Sequence, residues 1–295
     1  MKNKLIYITM FILMLLAAVS AQTIVQNQKS VTNYWVEYPF PDAGSNKIYF
    51  SKSEESKHTL YTVDSSGNES QINLPGLSVR HVCVHPNGES IAFTGINDEV
   101  FDIYVMELSS GKIKNLTNTK EIEFHPKYSS DGKLLIFNRQ QDTLNFFSIV
   151  YHELSNGKET TIFNDTISRT FASLSPDNSK IAAVQWHPNM NTEIFISDAD
   201  GSNQKNISKN ESFDGWPCWS TDGKKIVFSS DREEKFKFQL YEYDIENNNL
   251  KRIMNDEFSY VQPIYNGAGE GIIAVKSYKR GFPNQIVKIF LQKDE

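Results

Sequence analysis

Six times along this chain, a turn built from Pro, Asp, Asn and Gly is followed at once by a short β-branched or aromatic run. The copies read PDAGSNKIYF (41–50), HPNGESIAF (85–93), SSDGKLLIF (129–137), SPDNSKIAA (175–183), STDGKKIVF (220–228) and NGAGEGIIA (266–274). Aligned on Ile48, Ile91, Leu135, Ile181, Ile226 and Ile272, they are spaced by 43, 44, 46, 45 and 46 residues. A near-constant period of that length, held over six copies, points to a propeller or a solenoid.

Each period carries a second signal. The runs 60–72, 103–117, 147–162, 194–208 and 240–253 read as strand, tight turn, strand, with Gly or Asn at the turn. Each unit therefore holds four short strands, and no stretch after Ala21 has the apolar spacing of a useful amphipathic helix. A four-stranded sheet buries little alone, whereas six stacked around an axis cover one another's faces. The expected fold is all-β: a six-bladed β-propeller of four-stranded blades. Typical β-helix coils are much shorter than this period, which puts the linear solenoid second. The sixth unit runs out of chain after three strands (260–264, 271–277 and 285–292). Residues 23–28 belong to no complete unit, so they are expected to supply the missing outer strand of the last blade and close the ring.

The first 21 residues have the layout of an export signal. Lys2 and Lys4 open it, residues 5–18 are apolar apart from Thr9, and Ala17-Ala18-Val19-Ser20-Ala21 offers small residues for cleavage. The reading is a leader over 1–21, cut after Ala21, and a single propeller domain over 22–295. The apolar run is short for a membrane span, and no cysteine follows it for lipid attachment. Loss of the two lysines takes the net charge from −6 to −8. With no strongly basic run, the chain is a poor match for nucleic acid. The 19 Phe, 13 Tyr and 4 Trp supply a sizeable core. The expectation is a periplasmic or secreted monomer with no membrane span once the leader is gone.

Beyond the period, particular residues repeat. Ser175-Pro176-Asp177-Asn178 and Ser220-Thr221-Asp222-Gly223 form the turns, Trp219 precedes one of them, and Ser230-Asp231-Arg232 follows its strand. Ile103-Tyr104-Val105-Met106 closes with Asn115-Leu116-Thr117. Together these resemble the W-S-P-D-G-x-x-I-A-F repeat of TolB-like six-bladed propellers, over essentially all of the chain beyond the leader. The resemblance implies an exported interaction or scaffold module whose partner is an envelope or extracellular protein. TolB itself carries an α/β domain before its propeller, whereas a short stretch separates Ala21 from the first blade here. Such repeats also resemble the propellers that gate prolyl-oligopeptidase-type peptidases, yet this sequence has no G-x-S-x-G elbow and no α/β segment to carry one. Phosphate-loop, H-E-x-x-H and dinucleotide motifs are absent too. A propeller-based lyase or hydrolase acting on a saccharide stays open as the alternative, because its site would be assembled from separate blades and leave no linear motif.

Counting back from each turn gives candidate site residues. Seven positions before the turns lie Tyr38, His81, His125, Phe171, Trp216 and Gln262; two positions earlier lie Val36, Val79, Glu123, Arg169, Asp214 and Tyr260. Inner strands line a propeller's channel, so Tyr38, His81, Glu123, His125, Arg169, Asp214, Trp216 and Gln262 are expected at the channel mouth where those strands start. Arg169 would clamp a carboxylate there, with Trp216 and Tyr38 as flat walls. No cofactor and no metal are expected: the two histidines and Glu123 suit a divalent ion by type, but the alignment does not fix their directions. The Asp198-Ala199-Asp200-Gly201 stretch lacks the later Glu of a calcium loop and aligns with plain hairpin turns. Cys83 and Cys218 occupy the same place in opposed blades, too far apart for a bridge, so both are expected free.

Overall fold

A computed structural model describes residues 25–30, 36–42, 44–54, 57–141, 146–163, 165–266, 271–278 and 284–291. The leader expected over 1–21 lies outside the described residues. Those residues form six antiparallel sheets of four strands each, and among them there is no helix. The chain is a six-bladed β-propeller. The inner strands are Val36–Asp42, Ser78–Val84, Glu123–Tyr128, Arg169–Leu174, Asp214–Trp219 and Phe258–Tyr265.

Five blades run outward in chain order, and the sixth does not. Its inner three strands come from the C-terminal end, and its outer strand is Val25–Ser30, paired antiparallel with Asn284–Leu291. The register joins Val25 to Leu291 and Ser30 to Val287. Ring closure by an N-terminal strand is thus confirmed, with a small offset from the 23–28 expected; residues 23 and 24 lie outside the described set.

The repeat motif explains its own conformation. In the turns, Ser129, Ser175 and Ser220 each donate a side-chain hydrogen bond to the Asp two residues on, at 2.7, 2.5 and 2.6 Å. The Ser175 hydroxyl and the Ser179 amide and hydroxyl hold the Asp177 carboxyl down at about 2. The fourth position must be left-handed: Gly132 and Gly223 have φ of 70° and 71°, and Asn178, which tolerates that region, has 58°. The run that follows turns inward. Phe50, Phe93, Phe137 and Phe228 end it in four blades and are all at most 1% exposed, each worth about 1.5–3 kcal/mol of burial. Six apolar clusters divide the core, several of them wedged between neighbouring blades. Turns also tie blades together: the Ser130 hydroxyl donates to the Pro176 carbonyl at 2.5 Å.

The cysteines are both free, with Cys83 buried and Cys218 partly so. Burial pushes the Cys83 thiol up to about 12 and raises that of Cys218 as well. Asp198 and Gly201 close an ordinary hairpin turn, the Gly201 amide donating to the Asp198 carbonyl at 2.9 Å.

Candidate functional site

All six inner strands share one irregularity. In blade one the register runs Glu37 with Ser51, then Phe40 with Tyr49, so Tyr38 and Pro39 together face Phe50. Equivalent breaks fall between Arg80 and Cys83, Phe124 and Lys127, Thr170 and Ser173, Gly215 and Cys218, and Val261 and Ile264. The first bulged residue is left-handed every time: Tyr38, His81, His125, Phe171, Trp216 and Gln262 have φ from 52° to 57°. Bulky L-residues seldom adopt that conformation, and a bulge is the device that imposes it and re-aims the side chain. Proline follows in four blades, at Pro39, Pro126, Pro217 and Pro263. A bulge leaves a residue out of the ladder, so proline's missing N–H is tolerated there.

The six re-aimed side chains meet on the axis and line one central cavity of about 60 Å³. Ring centroids lie 4.1 Å apart for Tyr38 and His81, 4.0 Å for His81 and His125, 4.0 Å for His125 and Phe171, and 5.6 Å for Phe171 and Trp216. Gln262 completes the circle by accepting from the Tyr38 amide at 2.7 Å. Burial pushes the Tyr38 hydroxyl up to about 12, so it remains a neutral donor. Both imidazoles are held well below the usual histidine range, chiefly by burial. His81 Nδ1 contacts Thr94 Oγ1 at 3.1 Å, whereas neither ring nitrogen of His125 has a partner, nor does Trp216 Nε1.

Those neutral histidines make stability depend on pH. Charging either one costs free energy in the fold, so the unfolded chain binds more protons as pH falls below about 6.5. Their contribution is intact above that value and is lost on acidification, at most roughly 1.4 kcal/mol per pH unit for each histidine. Urea unfolding at successive pH values should therefore slope downward toward acid in the wild type and flatten in a His81→Gln, His125→Phe variant. An equal slope in both would assign the titration elsewhere.

The structure places Tyr38, His81, His125, Trp216 and Gln262 around one cavity at mid-strand, rather than at the strand starts. Glu123, Arg169 and Asp214 do not line the cavity. A regular strand puts residues two apart on one face, and the left-handed bulge residue breaks that alternation. The three charges are instead buried and paired. Arg139 Nε donates to Glu123 at 2.6 Å and its Nη1 to Glu159 at 2.6 Å. Arg169 grips Asp165 at 2.6 and 3.0 Å and Gln204 at 3.1 Å, so its guanidinium is already engaged. Arg232 reaches Asp214 at 3.1 Å, and Asn210 also donates to it.

Two further groups of residues surround the ring. On the turn side of the ring, Phe40, Lys127, Cys218 and Ile264 complete the cavity wall. On the other side, the strand-start face is aromatic: Phe124 contacts Phe147 at 4.6 Å, and Phe213 contacts Phe238 at 5.6 Å and Trp186 at 5.8 Å. Trp186 folds back on its blade, donating from Nε1 to Thr170 Oγ1 at 2.8 Å. The exposed large apolar side chains among the described residues are Val100, Ile167, Met190, Phe236 and Tyr278. The blade topology puts all five in loops or strand ends at this same face.

Residues 38–276 match the family described as the Tricorn protease N-terminal beta propeller domain. The chain belongs to that family. Within it, relatives draw the chain toward TolB-like six-bladed propellers. An uncharacterized protein of Agrobacterium fabrum is 26% identical over 196 residues, covering 62% of this chain and 64% of its own. A TolB homolog of Chlorobium chlorochromatii is 26% identical over 147 residues, 49% of this chain and 32% of the homolog. The chain thus spans less than two thirds of either relative. Among solved structures, TolB from Acinetobacter baumannii superposes with a TM-score of 0.69 at 22% identity, over 81% of this chain and 59% of that one. An oligogalacturonate lyase in complex with manganese superposes at 0.63 with 14% identity, over 92% and 95%. Identities this low speak for a shared fold and no more.

Proposed function

We infer that the chain is an exported, TolB-like interaction module that docks another protein on its strand-start face, in the periplasm or outside the cell. One observation carries this reading: the exposed large apolar side chains gather at one end of the ring, around an aromatic cluster. Apolar patches of that kind mark docking surfaces. A charged pair, Arg80 with Glu37 at 2.7 Å, lies near the starts of two inner strands, the kind of polar contact found at the rim of protein interfaces. The TolB relatives and the leader-like first 21 residues support export and a protein partner. Among the described residues no helix is long and apolar enough to cross a membrane. The working description is a monomeric module acting without catalysis of its own. A saccharide hydrolase fits less well, because glycoside hydrolysis uses a pair of carboxylates and none lines the central cavity.

Affinity capture from an envelope extract, read by mass spectrometry, tests the reading. The mature protein should retain a defined partner that a Phe213→Ala, Phe238→Ala, Met190→Ser variant loses while its circular dichroism is unchanged. Equal capture by a folded triple variant would remove the docking site from this face.

A further inference from the structure

We propose that the central cavity is a binding site for a carboxylate group, received by Lys127 on the turn side of the aromatic ring. The proposal does not depend on the docking face, which lies at the opposite end of the ring.

The cavity's charge is anomalous for this chain. The protein carries a net charge of −6, yet no Asp or Glu is among the cavity-lining residues, and Lys127 is their one permanently charged side chain. Its Nζ lies 4.8 Å from the centre of the Phe40 ring. No carboxylate among the described residues lies within ion-pair distance of it. The lysine lines the same cavity as His81, His125 and Cys218. Lys127 is half-buried, and an ammonium so placed attracts an anion into the cavity it lines.

Neutral donors complete the site. A neutral imidazole offers one N–H, and both nitrogens of His125 are buried without a partner. Trp216 Nε1, buried with no partner at hydrogen-bond distance and only the Tyr38 hydroxyl near it, is a donor and nothing else. A cation with two neutral N–H groups suits the two oxygens of a single carboxylate better than the doubly charged, three-oxygen face of a phosphate ester. The walls decide what the carboxylate hangs from. Pro126, Pro217, Pro263 and Ile264 are apolar, so they fit a short alkyl stem. A space of about 60 Å³ exceeds the roughly 10–15 Å³ that one water requires, which leaves room for a small group. Entry is from the turn side, since the ring side chains pack against one another and none of the strand-start aromatics lines the cavity.

Acetate and then propionate, titrated into the mature protein at constant ionic strength against chloride, test the site. The indole N–H of Trp216 and the ring signals of His125, followed by NMR, should move saturably. Lys127→Met should weaken the response about tenfold or more, the scale of a hydrogen bond to a charged group, while Lys127→Arg retains it. A wild-type response no different from chloride overturns the proposal, and that arm decides even if Lys127→Met does not fold. A response equal in the wild type and a folded Lys127→Met protein overturns it as well. A short peptide with a free C-terminus, set against its amide, separates the sources. Tighter binding of the acid peptide than of propionate supports a peptide ligand, and equal binding supports a free small acid.

Discussion

Removal of residues 22–30 from the mature chain should lower Tm by roughly 10 °C or more. Val25–Ser30 is the outer strand of the sixth blade, and its pairing with Asn284–Leu291 joins the two ends of the chain. Without it, the blade loses a strand's worth of ladder hydrogen bonds, worth about 1 kcal/mol each. In a protein of this size each kcal/mol shifts Tm by roughly 2–4 °C. The freed edge of Asn284–Leu291 also becomes a template for another chain, so the truncated protein should self-associate more than the full one. Calorimetry and size-exclusion chromatography read the two effects. A truncated chain that melts with the mature protein would falsify the closure.

Arg139→Met should cost about 3–5 kcal/mol, the penalty for leaving a buried charge without its partner. The charge is Glu123, fully buried in the third blade, to which Arg139 donates at 2.6 Å. Burial already raises the Glu123 carboxyl despite that arginine. With the arginine gone the carboxyl should rise further, so the variant's deficit should shrink as pH falls and Glu123 takes up a proton. Glu123→Gln added to Arg139→Met should recover much of the loss at neutral pH. Denaturant unfolding at two pH values measures both effects. A deficit that does not respond to pH would mean that Arg139 matters for its packing over Phe137, 5.3 Å from the ring centre, rather than for its charge.

The architecture was largely legible because it rests on local chemistry that recurs from blade to blade. A left-handed turn residue, a Ser–Asp contact and an inward Phe are each specified within a few residues. The offset between units then dictates the ring, and the surplus N-terminal strand dictates its closure. The site was legible only in part, since its geometry depends on a bulge that strand alternation cannot foresee. Alternation assigns Glu123 and His125 to one face; one left-handed residue sends them to different environments, and Arg169 and Asp214 follow the same rule. A signal for the bulge was present in the dipeptides Tyr38-Pro39, His125-Pro126, Trp216-Pro217 and Gln262-Pro263. Proline inside a strand that must pair on one side marks an unpaired position. Lys127 was harder to find, because a lysine in a strand is unremarkable until its neighbours are known to lack an acid.

Glycine would adopt the ring's left-handed backbone at little cost, sparing about 1–2 kcal/mol per position. Yet none of the six is glycine: the ring reads Tyr, His, His, Phe, Trp, Gln. One backbone geometry thus displays five different side chains to a common point. The blade fixes the address, and the residue type is left free to vary. Specificity on this scaffold can therefore be rewritten by exchanging single ring residues without disturbing the sheets behind them, much as keys on one shaft differ only in their teeth.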